Sequence, residues 1–448
     1  MAFSCAECGY RSVKWYGRCP SCGAWDAFHE QSEPRGSDAA ASSWIGEDPR
    51  SIRDIDVDEL ARIPSGSAEF DRVLGGGLIP GGVLLFGGEP GIGKSTLLLQ
   101  TARSLAERQG NVLYVSGEES EGQIKLRASR LGIESAHLYV LSEQSMPRIK
   151  AAVEQLSPCA LIVDSIQTVA CGGVDGDVGS VRQLRAASAE LTRLAKTRGM
   201  ATILVGHITK DGAFAGPKTV EHLVDVAVYL EGHRGEDVRM LRTVKNRFGA
   251  THEVAVFQMT GDGLREISNP STFFLDTGTR DARPGAVVVP VLEGTRPILI
   301  EMQALVAPTG GYGVPQRRCT GLDVNRVLLL LAVMDKRLAI NVGGADVYLS
   351  VAGGLDVRER AGDVGVVAAV ASSLRNRAVP LGTAVVGEVD LSGEVRTVRR
   401  LGERIREAEK LGYDRILVPA AGTVRASSAA KIVRVSSIDE VMAELQLD

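Results

Sequence analysis

The stretch GEPGIGKS opens with Gly88 and continues through Glu89, Pro90, Gly91, Ile92, Gly93 and Lys94 to Ser95, with Thr96 next. It fits G-x4-G-K-[ST], with an apolar run before it and an amphipathic pattern after it. Backbone amides from Glu89 to Lys94 can wrap a β-phosphate, and the start of the following helix adds partial positive charge. Lys94 would reach the β- and γ-phosphates, Ser95 would offer its hydroxyl to Mg2+, and Thr96 would touch the α-phosphate. ATP and ADP are the ligands this pattern implies. Two acidic stretches add the chemistry of hydrolysis. LIVDS puts Asp164 at the tip of an apolar strand, where an acid holds Mg2+ through water. YVSGEES puts Glu118 and Glu119 at the end of another, where one carboxylate can orient and deprotonate the attacking water. Glu118 is the favoured base and Glu119 the alternative. His207, ending TILVGH, stands where a γ-phosphate sensor or a structural histidine would sit.

Four of seven cysteines fall in the first 22 residues, as Cys5-x2-Cys8 and Cys19-x2-Cys22 with ten residues between. Four thiolates on glycine-bearing knuckles at this spacing suit tetrahedral Zn2+, whose binding can fold so small a module. Arg11, Lys14 and Arg18, interleaved with Tyr10, Trp15 and Tyr16, suit either single-stranded nucleic acid or docking on a neighbouring domain. Cys159, Cys171 and Cys319 are scattered and read as small buried hydrophobes or inert surface thiols.

The elements that must position these groups follow from periodicity. A 448-residue chain exceeds one core and suggests about three domains. Residues 1–28 form the cysteine module and 29–54, rich in Ser, Ala, Gly and Pro, a linker. Across 55–270, aliphatic strands (GGVLLFGGE, NVLYVSGEE, ALIVDS, ATILVGHI) alternate with helices, which predicts a parallel sheet covered on both faces. NPSTFFLD breaks that pattern, and 271–448 reads as a second α/β unit. Net charge of −4 excludes a blanket polycation, so nucleic-acid contacts must be local. Apolar runs such as Val327–Met334 fall far short of the ~20 residues of a membrane span. No basic-then-apolar leader opens the sequence, so the expectation is a cytoplasmic protein without a membrane partner.

TVKNRFGATHE, residues 243–253, sets Lys245 and Arg247 two apart, so that on a strand both face one side. Three readings compete: cations aimed at a nucleotide phosphate, cations on DNA phosphates, or a solvated strand edge. Taken in order, the zinc knuckles, GEPGIGKST, SGEES, LIVDS and KNRFG resemble the bacterial RadA (Sms) DNA-repair family over essentially the whole chain, and the central part resembles RecA. The fold class implied is α/β: a RecA-like P-loop ATPase domain plus a Lon-protease-like α/β domain, with a small N-terminal four-cysteine zinc module. The resemblance implies a homo-hexamer moving on single-stranded DNA, with Lys245 and Arg247 reaching a neighbour's γ-phosphate. It further implies branched DNA intermediates and the RecA recombinase as partners, at the nucleoid. The candidate DNA loops are Ser165–Val181, followed by Arg182 and Arg185, and 209–222, with Lys210, Phe214 and Lys218.

Residues 361–412 resemble the proteolytic domain of Lon. Asp363 stands at the serine position and Gly402 at the lysine position, so neither nucleophile nor base remains and no proteolysis is expected. Arg375, Arg377, Arg396, Arg399 and Arg400 are candidates for duplex DNA or for surface ion pairs. The implied activity is a DNA-dependent ATPase and helicase that promotes branch migration in recombination and repair. The rival is a RecA-fold ATPase switch or scaffold acting on protein partners.

Overall fold

The computed structural model describes residues 2–5, 11–12, 14–15, 17–20, 22, 24–25, 28–31, 51, 53, 61–207, 219–232, 237–275, 282–310, 314–422 and 429–448. The chain divides into two compact units, Met1–Glu59 and Leu60–Asp448. In the first, β1 (Ala2–Cys5) pairs antiparallel with β2 (Arg11–Ser12) and with β3 (Phe28–Gln31). The Cys19 amide donates to the Ala24 carbonyl at 2.8 Å, which closes the CPSCG turn. The Arg18 guanidinium lies 5.6 Å from the Trp25 ring centroid, a cation–π contact.

The second unit begins with α1 (Ala68–Leu74), capped by the Ser67 hydroxyl and ended by Gly75 at φ 83°. Then follow β4 (Val83–Gly88), α2 (Lys94–Arg108), β5 (Val112–Ser116), α3 (Glu121–Arg130), β6 (Leu138–Ser142), α4 (Met146–Leu156) and β7 (Ala160–Asp164). Next come α5 (Val181–Arg198), β8 (Ala201–His207), α6 (Thr219–Leu223), β9 (Val226–Glu231), β10 (Val238–Asn246), β11 (Val254–Thr260) and β12 (Gly263–Glu266). These strands make one sheet in the order β12-β11-β10-β9-β4-β8-β7-β5-β6. Strands β9 through β6 in that order are parallel, as the alternation of strands and helices requires. Strands β10, β11 and β12 depart from expectation, each pairing antiparallel with the strand before it in the chain. Their connections are too short for a parallel crossover, which needs about a dozen residues.

The central strands are apolar throughout because both faces are covered. Leu84 and Phe86 share one core with Leu97 and Leu98 of α2, while Val83 and Leu85 share the other with Leu184, Leu191 and Ala195 of α5. These residues form one apolar stripe on α5, with Leu194 at its half-buried margin.

The remaining elements are α7 (Pro270–Phe274), β13 (Ala286–Glu293), β14 (Arg296–Pro308), β15 (Arg317–Thr320), α8 (Val324–Arg337), β16 (Ala345–Val351), α9 (Asp363–Leu374) and β17 (Thr383–Val385). The chain closes with β18 (Glu388–Val389), β19 (Val395–Arg396), α10 (Leu401–Lys410), β20 (Arg415–Pro419), β21 (Lys431–Val435) and α11 (Ile438–Glu444). A second, mixed sheet runs β15-β16-β14-β13-β17-β20-β21. Helix α9 lies against β13 and β14 and is buried along almost its whole length, which is why its sequence is apolar on every side. No helix among the described residues is long and apolar enough to cross a membrane.

Candidate active site

Strand β4 ends in the glycine-rich turn, and α2 starts at Lys94. Two glycines there adopt backbone that other residues avoid: Gly91 at φ 79° and Gly93 at φ 116°. A Cβ on Gly93 would also stand 2.7 Å from the Met259 methyl of β11. The turn is held from beneath by Arg239 of β10, whose Nε donates to the Ile92 carbonyl at 3.0 Å. Lys94 is buried and folded over its own loop: Nζ donates to the Gly88 and Glu89 carbonyls, both at 2.9 Å, and meets His207 Nδ1 at 3.1 Å. Burial draws its ammonium below the ordinary lysine range, against the pull of Asp164 and Glu118. Thr96 follows, half-buried, on the first turn of α2.

The acids converge from neighbouring strands because parallel strands present their C-terminal tips together. Ser116 of β5 is in register with Asp164 of β7, and Gly88 of β4 with His207 of β8. Ser95 Oγ donates to Asp164 Oδ2 at 2.7 Å. A hydroxyl beside a carboxylate is the hard-oxygen pair that suits Mg2+ next to a triphosphate, so this donor set fits the ion. Glu118 Oε1 accepts from Ser165 Oγ at 2.7 Å and meets His207 Nε2 at 3.2 Å. With Lys94 donating to Nδ1, the imidazole proton sits on Nε2 and points at Glu118. Glu119 instead pairs with Arg127 of α3. The two glutamates are thus separated by their partners: one faces the phosphate turn, the other is tied to a helix.

Lys245 and Arg247 stand elsewhere. Bulging at Val244 shifts the β9–β10 register, and Lys245 then opposes Ala227. Its Nζ donates to the carbonyls of Glu221 at 2.6 Å, His222 at 3.4 Å and Val224 at 2.8 Å, closing the end of α6. Burial, then the nearby Arg247, holds its ammonium below the usual value. Arg247 lies just past the strand, 52% exposed, with Nη1 3.4 Å from Asp225 Oδ1. Asp225 in turn accepts from the Val83 amide at 3.1 Å, at the start of β4. The phosphate turn is at the other end of that strand, about 16 Å away at a rise of ~3.3 Å per residue. The pair therefore lies toward the end of β4 opposite this chain's own Lys94; Lys245 is still on β10, whereas Arg247 lies beyond it, where two-residue strand parity no longer applies.

Other expected groups fall as follows. The segment after Asp164 is tied to α5: Gln183 accepts from the Cys171 amide at 2.9 Å and donates to the Val174 carbonyl at 2.7 Å. Arg182 and Arg185 are exposed. Lys210, Phe214 and Lys218 lie outside the described residues, as does Cys8. Cys19 is buried and Cys22 exposed, and only the backbone of Cys5 is described. Asp363 is buried at the start of α9, where Arg326 of α8 pairs with it and the Val389 amide donates to its Oδ2 at 3.0 Å. Gly402 lies in α10. Arg396 pairs with Asp390 and Glu394, and Arg400 with Glu403; Arg375, Arg377 and Arg399 are exposed.

Two residues near these sites were not singled out by sequence. Tyr114 OH donates to Asp164 Oδ2 at 2.6 Å; burial and that carboxylate push its phenol well above the ordinary range. Arg62 Nη2 donates to the Phe248 carbonyl at 2.7 Å and seats the KNRFG turn. The parity of YVSGEES with LIVDS could have flagged Tyr114 once β5 and β7 were paired; nothing local marks Arg62.

A family model described as an AAA domain matches residues 52–213, and one described as a rubredoxin metal binding domain matches residues 3–30. The DNA repair protein RadA of Halalkalibacterium halodurans is 44% identical over 446 residues, spanning 98% of this chain and 97% of its own. That of Bacillus subtilis is 46% identical over 424 residues, spanning 94% of this chain and 92% of its own. That of Pseudomonas aeruginosa is 45% identical, spanning 98% of this chain and 97% of its own.

Proposed function

The chain belongs to the family of DNA repair protein RadA, and on that footing we propose that it is a DNA-dependent ATPase that remodels recombination intermediates. In this reading residues 55–270 are the motor, 271–448 a non-proteolytic Lon-like platform, and 1–28 a zinc module joined by the linker 29–54. The turn from Gly88 to Ser95 takes the triphosphate, with Lys94 exchanging its loop carbonyls for phosphate oxygens and Thr96 beside the α-phosphate. Glu118 receives a proton from the water that attacks the γ-phosphorus, and ADP leaves. Magnesium, held by Ser95 and through water by Asp164, would neutralise charge on the phosphates. Cys5, Cys8, Cys19 and Cys22 would hold zinc.

The observation that carries the reading is the opposite placement of the phosphate turn and the Lys245–Arg247 pair. A cation that cannot reach its own chain's nucleotide is suited to the next protomer's, where it assists hydrolysis and ties it to movement between subunits. A heterologous contact of this kind builds a ring where its rotation closes and an open filament where it does not, and a closed homo-hexamer is the proposed assembly. Single-stranded and branched DNA would pass through the ring, beside the recombinase RecA, at the cytoplasmic nucleoid, and hydrolysis would drive branch migration and unwinding. The test is ATP turnover with and without single-stranded DNA, together with ATP-dependent displacement of a labelled strand from a synthetic three-strand junction. Several-fold stimulation and ATP-driven strand movement are expected. Unchanged turnover and a static junction would favour an ATPase switch acting on proteins.

A further inference from the structure

We propose that Tyr114 is a positioning residue for the magnesium-bearing acid: its hydroxyl locks the Asp164 carboxylate so that the second oxygen faces the phosphates. The proposal rests on Ser95 and Asp164 being the magnesium site. Tyr114 sits on β5 with its ring in the core shared with α2 and β7, 1% exposed. Only its hydroxyl reaches the ceiling of that core, where it meets Asp164 Oδ2 at 2.6 Å. Ser95 Oγ donates to the same oxygen at 2.7 Å. Oδ1 accepts from no group among the described residues, so the two donors decide which oxygen is left for a metal-bound water. The terminal torsion of an aspartate is broad, and a carboxylate held by the Ser95 hydroxyl alone would swing once that hydroxyl turned to an ion. A donor anchored in the core does not move with the ion. The arrangement matches the way partners behind a ligand orient it. Glu118 is held separately, by Ser165 and His207, so the effect of Tyr114 is confined to the metal side.

A buried tyrosine hydroxyl commonly finds some partner, so a purely structural role is the competing account. Tyr114→Phe keeps the ring and removes the donor. Binding of a fluorescent ADP analogue to the full chain, in EDTA and across a magnesium titration, separates the accounts. In the wild-type chain magnesium should tighten binding; if it does not, the magnesium reading itself falls. In Tyr114→Phe the affinity in EDTA should stay unchanged, while the magnesium needed for half of the tightening should rise about 10-fold. An unchanged magnesium requirement would overturn the proposal. So would loss of binding in EDTA, since the hydroxyl would then serve the fold as a whole.

Discussion

Replacing Arg247 with alanine tests the shared-site reading most directly, because the structure separates its consequences. The side chain is 52% exposed and makes one long ion pair, so its loss should cost no more than about 1 kcal/mol of stability. Asp225, left behind, still accepts from the Val83 amide. The guanidinium lies at the far end of β4 from Lys94, so nucleotide affinity should not change. Hydrolysis is another matter: a cation supplied in trans typically accelerates phosphoryl transfer on the order of 10³-fold or more. The Arg247→Ala chain should therefore bind ATP normally and turn it over hardly at all. Mixing makes the test sharper. In a ring of alternating contacts, a working site needs Lys94 from one chain and Arg247 from the next. An equal, randomly assembled mixture of Lys94→Ala and Arg247→Ala chains then contains both at about one junction in four, so turnover should recover to about a quarter of wild type. DNA-stimulated phosphate release, measured against each variant alone, reads this out. A mixture no more active than its parts would refute the reasoning, as would an Arg247→Ala chain that loses ATP affinity together with turnover.

Lys245→Ala should behave differently from its neighbour, because Lys245 closes α6: urea unfolding should show a loss of about 1–3 kcal/mol beside any loss of turnover. Glu118→Gln should stop hydrolysis with ATP retained, whereas Glu119→Gln should mainly release Arg127; filter-bound ATP and phosphate release distinguish them, and the reverse pattern would exchange their roles. Asp363→Ser should not create a protease, and by leaving Arg326 unpaired should cost about 3 kcal/mol or more, read as a drop in Tm with no ATP-dependent casein cleavage.

What could be read in advance depended on how local its physics is. The phosphate turn is local: glycines, Lys94 and Ser95 are consecutive, and the strand before and helix after are written in their periodicity. The tips of β5 and β7 were legible for the same reason, since an apolar run ending in an acid needs no partner to be recognised. The choice between Glu118 and Glu119 was not local, because it turns on Arg127 and His207, which arrive from α3 and β8. Lys245 looked like a free cation two residues from another; its engagement with the end of α6 depends on a tertiary contact and a bulge at Val244 that no spacing announces. Tyr114 was not singled out at all, because its significance lies in the contact of its hydroxyl with the Asp164 carboxylate on another strand.

The turn that carries Arg247 is pinned from both sides, and this bears on how the second sheet participates. On one side Arg62 holds the Phe248 carbonyl and Asn246 Nδ2 donates to the Leu74 carbonyl at 3.1 Å. On the other, the hairpin joining β13 to β14 presses against the way out of the turn. Thr295 N donates to the His252 carbonyl at 3.0 Å, and a Cβ on Gly294 would come within 1.8 Å of that same oxygen. Arg296 of β14 pairs with Glu69 of α1 at 2.5 Å, and Arg242 of β10 with Glu293 of β13 at 2.9 Å. Val256 of β11 belongs to the core of the second sheet and not to that of the first. The strands flanking KNRFG belong to the first sheet but pack side chains into the core of the second, and the hairpin touches the segment that leaves the turn directly. If the second α/β body is what assembles the ring, the distance between neighbouring bodies also fixes how far Arg247 stands from the next phosphate turn. Residues 271–448 would then bear on the chemistry through their packing against the strands that carry the Arg247 turn.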